Sequence, residues 1–130
     1  MLVEEVMTPK EKVVIVSPMA PVREVLVLMK KNDIKSVVVD KSSKNGAYGL
    51  VTFKNILESI VAEDGDIDLL NVYDIASTPS ISVSRKLDIK YAARMMVKNS
   101  IKRLLVIDDN EIYGILTMSD IIGVLLNKID

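Results

Sequence analysis

The stretch GILTMSD (residues 114–120) has a near twin in GLVTFKN (residues 49–55). Each runs glycine, two aliphatics, threonine, two variable residues and a short polar side chain. The last position separates them, with Asn55 standing opposite Asp120. A chain that writes one phrase twice carries an internal repeat, and the repeat decides the fold. Working outward, VREVLVLMKKNDIKSVVVD (22–40) aligns with IKYAARMMVKNSIKRLLVID (89–108). Val22 pairs with Ile89, Val25 with Ala92, Leu26 with Ala93, Met29 with Met96, Ile34 with Ile101 and Lys35 with Lys102. Upstream, VIVSP (14–18) echoes ISVSR (81–85), and VMTP (6–9) echoes ASTP (76–79).

Periodicity assigns the elements. Val22, Val25, Leu26 and Met29 recur at i, i+3, i+4 and i+7, one face of an amphipathic helix. Pro18 and Pro21 suit its start, where a missing N–H costs nothing. SVVVD and RLLVID read as short buried strands. KSSKNGAYG (41–49) and DDNEIYG (108–114) read as turns. A short strand, YGLVT or YGILT, and a second helix, FKNILESIVAE or MSDIIGVLLNKI, complete each copy. The order is strand, helix, strand, strand, helix, with residues 1–63 forming the first repeat and 72–130 the second. Residues 64–71 connect them, at the head of the Asp-rich segment DGDIDLLNVYDIAS (64–77). Units this small rarely stand alone, so the two copies are expected to pack face to face and share a core. The fold class is α+β, with a small mixed sheet in each half.

Composition narrows the chemistry. Of 130 residues, 49% are hydrophobic and 27% charged, which supports a packed core rather than disorder. The 17 basic and 18 acidic side chains leave a net charge of −1, with none of the basic excess of a nucleic-acid binder. Cysteine and histidine are absent, so disulfides, the usual zinc and haem ligands and histidine-based catalysis are all missing. There is no nucleophile–base pair and no phosphate-cradling glycine loop, and the chain does not read as an enzyme. No apolar run approaches the roughly 20 residues needed to cross a bilayer. MLVEEVMTPKEK at the start lacks a signal-peptide layout, and a cytoplasmic protein without membrane association is expected.

The repeated phrase has two readings. Thr117 and Asp120, spaced Thr-x-x-Asp before an apolar run, form a helix capping box. A strand-to-helix turn with free N–H groups is also an anion site. Beside it in each copy stands IKS (34–36) or IKR (101–103). Lys102 and Arg103 suit a phosphate, Thr117 adds a hydroxyl, and the Asp120 carboxylate suits the vicinal diol of a ribose. A solvated strand end is the alternative for Lys102 and Arg103, and both readings stay open at this level.

The ordered set of elements and motifs, present twice, resembles a tandem pair of CBS domains, the Bateman module, over roughly residues 6–60 and 72–128. The resemblance implies two tandem β-α-β-β-α repeats packed about a pseudo-twofold axis. It implies a regulatory, energy-sensing module whose cleft takes AMP, ADP, ATP or an adenosyl compound such as S-adenosylmethionine. No cofactor is required, the adenine nucleotide being a regulatory ligand, and the signal passes to a protein effector of unknown identity. Carried over residue by residue, the stronger site comprises Ser77 and Thr78 near the base, Lys102, Arg103 and Thr117 towards phosphate, and Asp120 on the ribose. The matching set in the first copy is Thr8, Lys35, Ser36, Thr52 and Asn55. Asn55 has one acceptor oxygen and no charge, a loss of about 1–2 kcal/mol, so that site is expected to be weaker. Val38 and Leu105 stand where the family often has proline, a packing change. A homodimer is expected from the nearly contiguous Ile121, Ile122, Val124, Leu125 and Leu126. A second functional reading is a scaffold that keeps the fold, binds no ligand and mediates oligomerisation or partner binding.

Overall fold

The computed structural model describes residues 1–78 and 81–129, and its elements follow the repeat. In chain order they are α1 (Val3–Val6), β1 (Thr8–Pro9), β2 (Ile15–Val16), α2 (Val22–Asn32), β3 (Ser36–Val39), β4 (Gly49–Thr52) and α3 (Phe53–Ile56). The α3 helix continues in wider, π-type turns through Leu57–Ala62. Then come α4 (Val72–Ile75), β5 (Ser82–Val83), α5 (Ile89–Asn99), β6 (Arg103–Asp108), β7 (Glu111–Thr117) and α6 (Met118–Leu126).

The apolar stripe read from the sequence is the buried face of α2. Val22, Val25 and Met29 are buried and Leu26 is half-buried, and Ala92 and Met96 do the same for α5. Pro21 precedes α2 with its ring-fixed φ of −70°. Asp88 caps α5, its carboxylate accepting the Lys90 N–H at 2.9 Å. Both helices stop at a residue in the left-handed region, Asp33 (φ 51°) and Ser100 (φ 53°). The following N–H then reaches back into the helix, Ile34 to the Met29 carbonyl at 3.1 Å and Ile101 to Met96 at 3.0 Å.

The two compact units do not coincide with the two sequence copies. Unit 1 joins Met1–Val13 to Ser80–Asp130, whereas unit 2 is the continuous Val14–Pro79. In unit 1 the sheet order is β1-β7-β6-β5. β1 lies antiparallel to β7 with Thr8 opposite Ile115, β7 antiparallel to β6, and β5 parallel to β6. Unit 2 has the order β2-β3-β4, parallel then antiparallel, and Ser77 forms a bridge to Leu50 on the free side of β4. Each unit therefore takes its outer strand pairing from the segment that precedes the other copy.

The hydrogen bonds that seat these leaders match one for one. Val3 donates to the Leu87 carbonyl (2.8 Å) and Glu4 to Arg85 (3.0 Å), while Val72 donates to Ala20 (2.8 Å) and Tyr73 to Pro18 (3.0 Å). Val3 and Val72 are fully buried. This equivalence shifts the upstream echo by one residue, so that Thr8 corresponds to Ser77 and not to Thr78. Pro79, which ends that echo, lies outside the described residues.

Three further expectations are corrected. The buried side chains form two clusters, one inside each unit, in place of one shared core. The segment 64–77 is more than a connector, because Val72 and Ile75 of α4 are part of the unit 2 core. In DDNEIYG only Asp109 and Asn110 turn, with φ of 52° and 60°, and Glu111 onward already belongs to β7. Two consecutive left-handed residues give the tight hairpin that matches strand twist, and Asp and Asn tolerate that region better than most side chains.

Candidate functional site

The end of α5 sets one half-site. With Ile101 held by its N–H and packed on the unit 1 core, the chain leaves the helix directly into Lys102 and Arg103. The Lys102 carbonyl accepts the Met118 N–H at 2.9 Å, which ties the start of α6 to the start of β6. Arg103 sits opposite Thr117 across the β6–β7 pair. Thr117 caps α6 reciprocally: its hydroxyl oxygen accepts the Asp120 N–H (3.1 Å), and Asp120 Oδ2 accepts the Thr117 N–H (2.9 Å). Lys102, Arg103, Thr117 and Asp120 thus gather at one end of the unit 1 sheet, Lys102 exposed and the other three half-buried. Thr8 lies on the adjacent strand, opposite Ile115. The cap uses one carboxylate oxygen of Asp120, and no group among the described residues bonds the second.

Unit 2 repeats the frame with a different outcome. Ser36 faces Thr52 across β3 and β4, and Lys35 immediately precedes it. Both the N–H and the hydroxyl of Thr52 donate to Asn55 Oδ1, at 2.8 and 3.1 Å. Asn55 has one oxygen and spends it twice on the cap, so what it presents outward is an amide N–H₂ donor. The Ser77 hydroxyl donates to the Leu50 carbonyl at 3.3 Å, and Thr78 is exposed. Lys35 also lines an open depression of about 450 Å³ between α2 and α3, walled by Leu26, Ile34, Phe53 and Ile56.

The grouping expected from the sequence is therefore crossed by the chain path. Ser77 and Thr78 belong to the unit that holds Lys35, Ser36, Thr52 and Asn55, and Thr8 belongs to the unit that holds Lys102, Arg103, Thr117 and Asp120. The glycines of the repeated phrase account for it. A Cβ on Gly114 would fall on the Thr8 carbonyl oxygen, and one on Gly49 would lie 3.3 Å from the Ser77 carbonyl oxygen. Each glycine opens room for a leader backbone to close against the strand.

Near the other end of the unit 1 sheet, Arg85 donates to Asp108 through its backbone (3.1 Å) and its guanidinium (2.9 Å). The guanidinium also lies 3.9 Å from the centre of the Tyr113 ring. Burial would raise the Asp108 carboxyl, but hydrogen bonds from Ser84 and from both groups of Arg85 outweigh it and hold the carboxyl below its ordinary range. Sequence reading did not single out this pair; the echo of VIVSP in ISVSR ends on Arg85 where the first copy has Pro18, and that mismatch was the available signal. Among the described residues no cluster of acidic side chains is arranged to hold a metal, and no helix is long and apolar enough to cross a membrane.

The repeat order, the crossed leaders and the two capped turns can now be set beside known proteins. The CBS domain profile matches the chain twice, over residues 3–62 and 72–127. The chain belongs to the CBS domain family. Proteins carrying CBS domains are in general regulatory rather than catalytic. An uncharacterized protein of Methanopyrus kandleri is 32% identical over 109 residues, covering 83% of this chain and 55% of that protein. One of Methanocaldococcus jannaschii is 27% identical over 88% of this chain and 62% of its own. The chain thus spans little more than half the length of these two relatives. Among solved structures, a hexameric CBS-CP12 protein from bloom-forming cyanobacteria superposes with a TM-score of 0.84 at 30% identity, covering 94% of this chain and 69% of that one. CBSX2, solved in complex with AMP, gives 0.81 at 21% identity, with 97% of each chain covered. The CBS domain pair of protein MJ0100, solved with 5′-methylthioadenosine and S-adenosyl-L-methionine, gives 0.84 at 18%, covering 99% and 98%. At these last two identities the likeness is one of fold. The architecture is that of a tandem CBS pair, the Bateman module.

Proposed function

We propose that this CBS pair is a regulatory ligand-sensing module that binds an adenine nucleotide or a related adenosyl compound and passes the signal to a partner protein. The observation that carries this reading is the Asp120 carboxylate, which keeps a charged acceptor oxygen beyond the one that caps α6. That oxygen stands with Arg103, Lys102 and Thr117 at one sheet end, where a ribose hydroxyl can donate to it and a phosphate can meet the cations. AMP and adenosyl ligands on related folds support the ligand class. Asn55, whose oxygen is doubly used, offers a ribose only a donor, so the unit 2 turn is the weaker of the two.

Isothermal titration with AMP, ADP, ATP and S-adenosylmethionine tests the proposal. Binding of at least one ligand should be lost or weakened about tenfold in Asp120→Asn, a change that preserves the cap as Asn55 does. Absence of binding at millimolar concentration, or a variant that binds as the parent does, rules the reading out.

A second reading, a scaffold without ligand, draws on the apolar side chains that α6 and the α3 face leave exposed, among them Ile122, Leu125, Leu126, Leu57 and Val61. Self-association through such faces belongs to both readings. Thermal melting separates them, because a ligand at 100 times its dissociation constant stabilises by about 2.7 kcal/mol and a pure scaffold shows no shift. Light scattering tests the self-association itself, for which a homodimer is the proposed state.

A further inference from the structure

The exposed helix faces are not alike in charge, and the difference selects how two copies meet. From Ile89 to Ile107 the sequence carries five basic side chains and no acidic one. Three of them, Lys90, Arg94 and Lys98, recur every fourth residue of α5 and so share one stripe. All three are exposed. Tyr91 and Val97 flank the stripe, Val97 being 82% exposed, on the side of the helix opposite the buried Ala92 and Met96. Among the described residues no carboxylate pairs with Arg94 or Lys98; Arg94 instead lies over the Tyr91 ring, 5.5 Å from its centre.

The complementary surface is in unit 2. Phe53, Leu57 and Val61 repeat every fourth residue along α3 and its π-type continuation, all exposed, Val61 by 65%. Glu58 and Glu63 are exposed on the same segment. Glu58 has one partner, Lys54, at 3.9 Å between two well-exposed side chains, a pair weak enough to exchange.

We infer that the basic α5 face of one copy docks on the acidic α3 face of a second copy, unit 1 against unit 2. Like faces oppose one another. Two α5 faces would set Lys90, Arg94 and Lys98 against the same cations, and two α3 faces would set Glu58 and Glu63 against the same acids. α6 gives α5 nothing to pair with, since its exposed side chains are neutral and Asp120 is tied into the cap. The outer face of α2 is mixed, with Glu24 beside Lys30 and Lys31, and its Arg23 is held by Asp68. The crossed pairing alone buries both apolar stripes while matching the charges along them.

This inference rests on the self-association proposed above, and one experiment separates the two. Sedimentation is measured for the parent chain, for Glu58→Lys/Glu63→Lys, for Arg94→Glu/Lys98→Glu, and for an equimolar mixture of the two variants. The parent should associate, and each variant alone should associate at least about tenfold more weakly. The mixture should recover the parent's association, because in a mixed pair the reversed acidic face meets the reversed basic face and the two native faces meet each other. Recovery also shows that both variants fold. A parent that stays monomeric overturns the self-association and this inference together. A parent that associates, with variants that associate equally well or that fail to rescue one another, overturns the crossed pairing and leaves self-association standing.

Discussion

Unit 1 and unit 2 run the same course of strand, helix, strand, strand, helix, and each seats a borrowed leader against its last strand. Where they part is the side chain at the third position of the helix after that strand. Asp120 and Asn55 both accept the N–H of the capping threonine, at 2.9 and 2.8 Å. For starting a helix one oxygen is enough, and the amide supplies it as well as the acid does. The second oxygen of Asp120 and its charge are surplus to folding. A residue that carries more than the fold requires is where a ligand is best sought, and the unit with the bare minimum serves as its control.

The largest effect that sharpens this comparison lies in the cores. Leu116, fully buried in β7, should cost about 2–5 kcal/mol when replaced by alanine. The equivalent Val51→Ala removes one carbon fewer and should cost less in the same denaturant titration. Next come the glycines. Gly114→Ala drives a methyl into the Thr8 carbonyl and should cost about 1–3 kcal/mol, whereas Gly49→Ala meets contacts no closer than 3.2 Å and should cost less. Equal losses would show that the leaders close against the two strands equally tightly. Asp120→Asn should weaken ligand binding by about 1–2 kcal/mol while changing the stability of the free chain by no more than about 0.5 kcal/mol. Asn55→Asp should strengthen it, and titration calorimetry reads both.

The smallest effect is a response to acid. The Asp108 carboxyl is held below its unfolded pKa of 3.8, so its contribution is present above that value and is lost as pH falls through the folded pKa. Unit 2 has no counterpart to the Arg85–Asp108 pair among its described ion pairs. Hydrogen exchange below about pH 4 should therefore loosen Val3 and Leu104 before Val51, and Asp108→Asn should remove the difference.

Much of this was legible in the residues because it is local. The spacing of Val22, Val25 and Met29 states a helix face, and SVVVD states a buried strand wherever the chain goes next. The phrase Thr-x-x-Asp contains its own cap. What the residues concealed is non-local. Nothing in VMTP says whether its strand joins the sheet of its own copy or of the other, since Gly49 and Gly114 open equal invitations in sequence. The offset between Thr8 and Ser77 follows from the seating of Val3 and Val72, which only pairing reveals. The surplus oxygen of Asp120 is visible as a letter, but that the cap consumes Asn55 entirely depends on where the Thr52 hydroxyl turns.

The exchange of leaders also dictates an order of events as the chain is made. Unit 2 is one unbroken segment, Val14–Pro79, while unit 1 needs Met1–Val13 and a stretch beginning at Ser80. The first residues to emerge must therefore wait for the last before they find their sheet, and closing that long loop is the slower step. Pulse-labelled hydrogen exchange during refolding should protect Val51 ahead of Val3. Until then Val3, which is destined to be fully buried, travels in solvent, and a chaperone that shields the emerging end has the most to offer in that interval.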